Sequence, residues 1–260
     1  MVKYLRELYR HRDLLILWTI RDVKVRYKQS ILGAAWAVIQ PISIMVVFTL
    51  IFSLIARLPS DGQPYPIFSY SALLPWTLLS TSLTVAIPSL VNNMSLVTKT
   101  YFPREILPIA AVAASFVDFL ISAVVFAAMM IFYHVTIAPS LVVVPLLLVA
   151  QLVLILGVAF WASALNVFYR DIRFVLPLVT QIWMYVTPVI YPISMVPERF
   201  RGLYMLNPMA GIIDGYRRAL LLGQYPEWGY LGLATAVSVA ILLFGYRYFK
   251  QAEAQFADLI

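Results

Sequence analysis

The chain has 260 residues, of which 62% are hydrophobic and 12% are charged, and its formal net charge is +7. The charged fraction is about half that of an average soluble protein, which excludes a soluble domain and predicts an integral membrane protein. The apolar stretches are continuous rather than alternating, so membrane-spanning helices are favoured over strands. The basic residues collect beside apolar segments, which indicates contact with anionic membrane lipid and no nucleic-acid partner.

Several kinds of chemistry are excluded by residue type and spacing. The sequence contains no cysteine, and its two histidines, His11 and His134, are far apart, so we expect no disulfide and no metal site. It has no G-x-x-x-x-G-K-[ST] loop, so we expect no catalytic residues and no ATPase site within this chain. The first 28 residues are dense in charge, which is not typical of a cleaved secretory signal.

Residues 1–30 hold eight basic residues, and leucines recur among them at roughly helical spacing. We interpret this segment as an amphipathic helix that lies on the membrane surface. The four cations nearest the first apolar run are candidates for binding the diphosphate of a lipid carrier: Arg21, Lys24, Arg26 and Lys28. The alternative is that they only anchor the helix to anionic lipid.

Six apolar runs are predicted to span the membrane, which makes the chain a single all-α transmembrane domain over residues 1–260. The predicted spans are 31–56, 67–91, 106–133, 141–168, 174–190 and 229–247. Between 192 and 227 the apolar runs are short and are interrupted by prolines and charges. Runs of that length suit re-entrant or interfacial helices.

The distribution of basic residues predicts the orientation of the chain. With six spans and the N-terminus inside, most of the 19 basic residues fall on the inner side, so both termini are predicted to be cytoplasmic. Five basic residues fall on the outer side in this arrangement, namely Arg57, Arg199, Arg201, Arg217 and Arg218, and the last four lie in one external region. Counting alone therefore does not exclude a topology that places residues 199–218 inside.

Two polar loops on the predicted cytoplasmic side are candidate contacts for a partner protein. The first polar loop, residues 97–108, combines charges with aromatics and a proline: Lys99, Tyr101, Phe102, Pro103, Arg104 and Glu105. The second polar loop, residues 169–173, contains Arg170, Asp171 and Arg173. Aromatic and arginine side chains commonly anchor protein interfaces, which favours docking. The alternative for the first loop is a connecting turn whose aromatics lie in the interfacial belt.

Aromatic side chains make up 14% of the chain. Most are expected in the interfacial belt or between helices. A subset would suit a pore for a substrate with flat faces, such as a sugar ring; the candidates are Trp36, Phe48, Phe52, Trp76, Trp183, Tyr185 and Tyr191.

Asp118 is the one acid or base well inside a predicted span. We interpret it as a helix-packing hydrogen-bond partner near Ser115 and Ser122, with a gate or proton site as the alternative.

A series of short motifs runs along the whole chain. It consists of Arg21, Asp22, Arg26, Tyr27, Ser30, Leu32, Gly33, Trp36, Pro41, Leu74, Pro75, Trp76, Ser89, Leu90, Val91, Leu96, Val97, Lys99, Tyr101, Phe102, Pro103, Arg104, Glu105, Arg170, Asp171, Thr187, Pro188, Val189, Ile190, Tyr191, Pro192, Leu206, Asn207, Pro208, Tyr216 and Arg217. These motifs resemble those of permease subunits of ABC-2 type transporters, in the polysaccharide-export branch. The resemblance is strongest to the membrane subunits of O-antigen exporters, and permeases for capsule and teichoic acid share the motifs.

The resemblance implies a homodimer of six-span subunits in the bacterial inner membrane, paired with two copies of a separate cytoplasmic ATPase that binds ATP and Mg²⁺. It implies that the first polar loop docks or gates against that ATPase, with the second as helper. Residues 192–227 would form two short external re-entrant helices. The substrate would be a lipid-linked polysaccharide, O-antigen first. Capsule or teichoic-acid export, export of a small molecule, an ion-coupled transporter and a membrane enzyme acting on polyprenyl lipids are the alternatives.

Overall fold

In a computed structural model of the protein, residues 9–28, 32–99 and 102–256 are described, and all regular structure within these ranges is helical. Two of the helices continue into a π-helical turn, over Thr49–Ile55 and Arg218–Leu222. The helices are α1 (Arg12–Tyr27), α2 (Trp36–Phe48), α3 (Tyr65–Ala86), α4 (Ser89–Asn92), α5 (Met94–Lys99), α6 (Ile106–Phe132), α7 (Val144–Phe168), α8 (Ile172–Tyr185), α9 (Glu198–Tyr204), α10 (Pro208–Arg217) and α11 (Trp228–Ala252).

Four helical segments are long and apolar enough to cross a membrane, judged by length and composition. They are Trp36–Ile55, Ile106–Phe132, Pro139–Phe168 and Trp228–Gln255, which agree with four of the predicted spans. Of the other two predicted spans, α3 has 22 residues but many serines and threonines. Helix α8 has 14 residues and is about 21 Å long, shorter than a hydrocarbon core of about 30 Å. An all-helical membrane protein is confirmed, and the count of six spans stays a prediction.

Helix α3 lies at the centre of the molecule, in contact with α2, α6, α7, α8 and α10. Most of its side chains are buried, and Ile67, Tyr70 and Leu79 are fully covered. Gln151 of α7 donates to the carbonyl of Pro75 at 2.6 Å, which ties the two helices together. Protein surrounds most of α3, so its buried serines, Ser69, Ser71 and Ser82, are kept away from lipid.

Helix α1, in the segment predicted to lie on the membrane surface, packs along the first half of α6. Its buried Trp18 joins an apolar cluster with Phe102 and Ile106. Helices α7 and α11 cross with their backbones in contact. A Cβ on Gly245 would lie 2.1 Å from the carbonyl oxygen of Gly157, so only glycine permits this crossing.

Helix α8 ends at Tyr185, and the backbone that follows is not helical up to a short 3-10 turn at Ile193–Met195. A broken backbone at membrane depth needs hydrogen-bond donors from the protein. Side chains supply them to nearly every carbonyl of this segment. The Asn207 amide donates to the carbonyl of Val186, and the Tyr65 hydroxyl donates to that of Ile190. Arg217 donates to the carbonyls of Pro188, Val189 and Tyr191.

Two short helices, α9 and α10, occupy the region predicted to be re-entrant. Asn207 caps α10, because its side-chain oxygen accepts a hydrogen bond from the Met209 amide at 3.1 Å. Arg218, which follows α10, forms ion pairs with Asp214 at 2.8 Å and with Glu227 at 2.5 Å. The lengths of these helices suit the predicted region, while their position relative to a membrane stays a prediction.

Candidate functional site

A cavity of about 460 Å³ lies between α1, α2, α3 and α6. Its size is within the range of small-molecule pockets, about 300–1,000 Å³. Its walls combine aromatic side chains with hydroxyls and an amide. The polar side chains that line it are Arg26, Tyr27, Gln40, Thr77, Ser80, Thr81, Thr84, Ser115, Asp118 and Ser122.

The α3 wall of the cavity is a stripe of four hydroxyl side chains: Thr77, Ser80, Thr81 and Thr84. They are spaced so that they share one face of the helix, and this is the partly exposed face of an otherwise buried element. Each hydroxyl donates to a carbonyl of its own helix; Thr81, for example, donates to Thr77 at 2.6 Å. Their oxygen lone pairs therefore remain available to accept hydrogen bonds from the cavity.

Asp118 lies near the middle of α6 and is held by the last residues of α1. Arg26 donates to one carboxylate oxygen and the Tyr27 hydroxyl to the other. Arg26 also lies 3.4 Å from the Ser115 hydroxyl. Burial, helped by the neighbouring carboxylate, raises the pKa of Tyr27 to about 12. The phenol is therefore protonated at neutral pH and acts as the donor to Asp118.

The partners of Asp118 differ from those expected from its sequence neighbours. Ser115 donates to the carbonyl of Ala111, and Ser122 donates to the carbonyl of Ala37. Arg26 and Asp118 are 92 residues apart in sequence, so no local pattern identified them as a pair. The available signal was the presence of one acid inside a span, because a buried charge requires a partner.

The four candidate lipid-diphosphate cations do not form one cluster. Arg21 donates to Asp22 at 2.7 Å and to Asn93 at 3.1 Å, and its guanidinium lies 3.5 Å from the Trp18 ring centre. Arg26 faces the cavity. The remaining two, Lys24 and Lys28, are exposed.

Of the seven candidate path aromatics, Trp36 lines this cavity and is 51% exposed. Trp76 is buried and packs edge-on against Trp183, with ring centres 5.9 Å apart. The indole N–H of Trp183 donates to Asn207 at 2.9 Å. These two tryptophans therefore connect α3 and α8 to the start of α10.

The other four candidate aromatics lie on or near α2 and α8. Phe48 and Phe52 form an edge-on pair on α2 and its extension, with ring centres 5.4 Å apart. Tyr185 is 55% exposed at the end of α8. The Tyr191 hydroxyl lies 3.0 Å from both the Tyr185 carbonyl and the Tyr204 hydroxyl. Contact of any of these residues with a substrate stays a prediction.

The charges of the first polar loop are bound to the C-terminal end of α11. Glu105 is buried and forms an ion pair with Lys250 at 2.8 Å. Lys250 also pairs with Glu253 at 2.9 Å, and Arg104 donates to the Glu253 carbonyl at 2.5 Å. Phe102 and Pro103 are buried as well. Two candidates in this loop, Tyr101 and the side chain of Lys99, lie outside the described residues.

The second polar loop is the more exposed of the two. Arg170, Asp171 and Arg173 are all exposed. Phe168, just before the loop, packs in the same apolar cluster as Val97 and Phe102 of the first loop. The two loops therefore lie at the same end of the molecule. Within the described residues, no group of three acidic, histidine or cysteine side chains is arranged to hold a metal ion.

Comparisons with known proteins agree with these features. Residues 13–221 match the family described as ABC-2 type transporter. An O-antigen export system permease protein RfbA from Klebsiella pneumoniae is 30% identical over 251 residues, covering 95% of each chain. The protein of the same name from Myxococcus xanthus is 30% identical over 262 residues, covering all of both chains. The polysialic acid transport protein KpsM of Escherichia coli is 21% identical and covers 90% of this chain and 92% of its own. The family match covers most of the sequence, and the chain therefore belongs to the ABC-2 type transporter family.

Proposed function

We propose that the chain is the permease subunit of an ATP-driven exporter and forms a transmembrane conduit for a lipid-linked polysaccharide, with O-antigen as the first candidate. Two relatives that are 30% identical and cover at least 95% of the chain are named O-antigen export permeases. Capsule export is the second candidate, because a polysialic acid transport protein is also similar over 90% of the chain.

The hydroxyl stripe of α3 is the observation that carries this proposal. Each hydroxyl of the stripe already donates to its own helix, but its remaining lone pairs can accept hydrogen bonds only from water or a polar substrate, because lipid tails have no donors. Thr77, Ser80, Thr81 and Thr84 retain acceptor capacity on the open face of the central helix. A hydrated path along this face suits a long hydroxyl-rich polymer, which is too large for one occluded cavity.

The assembly is a homodimer of six-span subunits in the bacterial inner membrane, with both termini cytoplasmic and residues 192–227 on the external side. Support comes from the two helices that flank the stripe. Helices α2 and α8 both contact α3, yet Pro41 and Thr180 are their only buried residues. A second copy placed over this face would enclose the hydroxyls between two subunits.

Two copies of a separate ATPase, which bind ATP and Mg²⁺, drive the export through the two polar loops. The two polar loops lie at one end of the molecule, and residues 169–173 are exposed, which supports this contact. In the first loop, the contact involves Lys99, Tyr101, the partly buried Arg104 and the buried Phe102, Pro103 and Glu105. The exposed Lys24 and Lys28 suit the diphosphate of the lipid carrier.

Reconstitution of the permease with its ATPase tests the proposal. We expect proteoliposomes to move fluorescent lipid-linked polysaccharide only with hydrolysable ATP and a hydrolysis-competent ATPase. The double variant Thr77→Val and Thr81→Val removes two hydroxyls while keeping side-chain shape, and should slow export at least tenfold. Ser69→Ala, on the same helix but outside the cavity, is the matched control. ATP-dependent transport of small molecules without transport of the polysaccharide would refute the proposed function.

A further inference from the structure

We propose that the cavity between α1, α2, α3 and α6 is a binding site for a neutral sugar ring, with the Arg26–Asp118 pair as its polar centre and Trp36 as its flat wall. The inference rests on the proposed export function and names the part of the substrate that this cavity holds. It assigns Arg26 to the sugar, and leaves the lipid diphosphate to the exposed lysines of α1.

The charge of the cavity favours a neutral ligand. Among the described residues, Arg26 and Asp118 are the two charged side chains that line it, and they are bound to each other. Tyr27 is protonated and occupies the second carboxylate oxygen. A diphosphate would enter beside the Asp118 carboxylate and be repelled by it. A sugar hydroxyl meets no such repulsion, because it both donates and accepts hydrogen bonds.

The shape and chemistry of the walls suit a ring with a flat apolar face and a hydroxyl edge. Trp36 and Gln40 are one turn apart on α2 and both are exposed, so an indole face and an amide lie side by side. Thr77 and Thr81, one turn apart on α3, offer acceptor oxygens. Indole, amide and hydroxyl groups together supply stacking, donors and acceptors for one ring.

The ion pair remains accessible, as a binding centre requires. The side chains of Arg26 and Asp118 are 25% and 16% exposed. Packing of α1 on α6 alone does not require this pair, because apolar side chains of similar volume hold helices together as well or better. The guanidinium has five N–H donors, and Asp118 and Ser115 occupy two of its nitrogens. The remaining donors are available to a ligand.

Cysteine protection in the purified permease–ATPase complex tests this site. The chain has no cysteine, so Thr84→Cys introduces one thiol at an exposed position of the cavity wall and leaves Thr77 and Thr81 in place. Met195→Cys, at an exposed position outside the cavity, is the matched control. The probes are the host cell's lipid-linked polysaccharide, the polysaccharide released from it by mild acid, and polyprenyl diphosphate alone. We expect the free polysaccharide to slow maleimide labelling at Thr84→Cys at least tenfold and to leave Met195→Cys unchanged.

Changes to the walls connect protection to the proposed contacts. Trp36→Ala or Asp118→Asn should abolish protection by the free polysaccharide, and Trp36→Phe, which keeps a ring, should retain it. Protection by polyprenyl diphosphate alone would identify a phosphate site instead, and no protection by the free polysaccharide would disprove the sugar site. Export measured with the same wild-type complex separates the two proposals. If the complex exports polysaccharide but the free polysaccharide does not protect the cavity thiol, only the sugar site is refuted. If the thiol is protected but no polysaccharide is exported, only the proposed conduit is refuted.

Discussion

Arg217 is a buried cation that serves the backbone rather than a carboxylate. It donates to the carbonyls of Pro188, Val189 and Tyr191, and its guanidinium lies 3.8 Å from the Phe68 ring centre. The planar guanidinium of arginine has five N–H donors and can reach three carbonyls at once, whereas the ammonium group of lysine cannot match this geometry. Arg217 therefore holds the broken backbone after α8 in one conformation.

We predict that Arg217→Lys destabilises the protein although it preserves the charge. At least one buried carbonyl would lose its donor, at a cost of about 1–3 kcal/mol for each one. The thermal unfolding midpoint of the detergent-purified protein should fall by several degrees. Arg199→Lys, at an exposed position in α9, should leave the midpoint unchanged. An unchanged midpoint for Arg217→Lys would show that this backbone segment is held by other contacts.

These residue-scale contacts were beyond the reach of the sequence. Counting of basic residues places Arg217 among the external charges, and spacing along the span places Asp118 near Ser115 and Ser122. Both interpretations used local spacing, whereas the actual partners lie 26 to 29 and 91 to 92 residues away. Such pairs depend on how helices assemble, which hydropathy and spacing do not describe. The need for a partner was predictable, but its identity was not.

At the scale of helices, apolar run length predicted most of what the structure contains. The run at 106–133 corresponds to Ile106–Phe132 and the run at 31–56 to Trp36–Ile55, because the length of a lipid-facing helix is a local property. Over the predicted span 67–91, helix α3 ends at Ala86 and α4 begins at Ser89, on the two sides of Pro88. Three of its Ser and Thr side chains are buried in protein. The other four form the open hydroxyl stripe, which became visible only with the neighbouring helices in place.

The first polar loop and the end of α11 form one unit. Glu105 and Lys250 are largely buried as an ion pair, and Arg104 contacts the backbone of Glu253. A force applied to the first polar loop would therefore reach α11 directly. This contact offers a physical route from the proposed ATPase contact into the membrane domain.

We predict that Glu105→Lys uncouples ATP hydrolysis from export, because it places two cations together in a site with little solvent. The double variant Glu105→Lys with Lys250→Glu restores an opposite-charge pair and should recover most of the coupling. The measurement is polysaccharide exported per ATP hydrolysed in proteoliposomes. Glu198→Lys, at an exposed position in α9, is the control. If the double variant is no better than the single one, Glu105 acts on the ATPase directly rather than through α11.

At the scale of the whole molecule, one face combines apolar and polar groups in a way that lipid alone does not satisfy. Helices α2 and α8 expose apolar side chains, among them Val47 and Leu178. Both helices contact α3, which carries the hydroxyl stripe. Thr84 of the stripe also borders a small groove formed with Pro177 and Thr180 of α8. Lipid would cover the apolar side chains but leave the hydroxyl acceptors without donors.

We predict that this face meets a second copy of the chain, so that two stripes line one hydrated path. Since the chain has no cysteine, Val47→Cys and Leu178→Cys each introduce a single thiol on the face. Each variant is expressed alone, and the two are also co-expressed. A bifunctional maleimide added to native membranes should yield a covalent dimer in at least one of these samples. Val239→Cys, on the exposed side of α11, should remain monomeric, because a closed twofold assembly uses the same patch on both subunits. Cross-linking at Val239→Cys with none at α2 or α8 would place the second copy on the opposite face. The hydroxyl stripe would then face lipid, and the proposed conduit would lose its second wall.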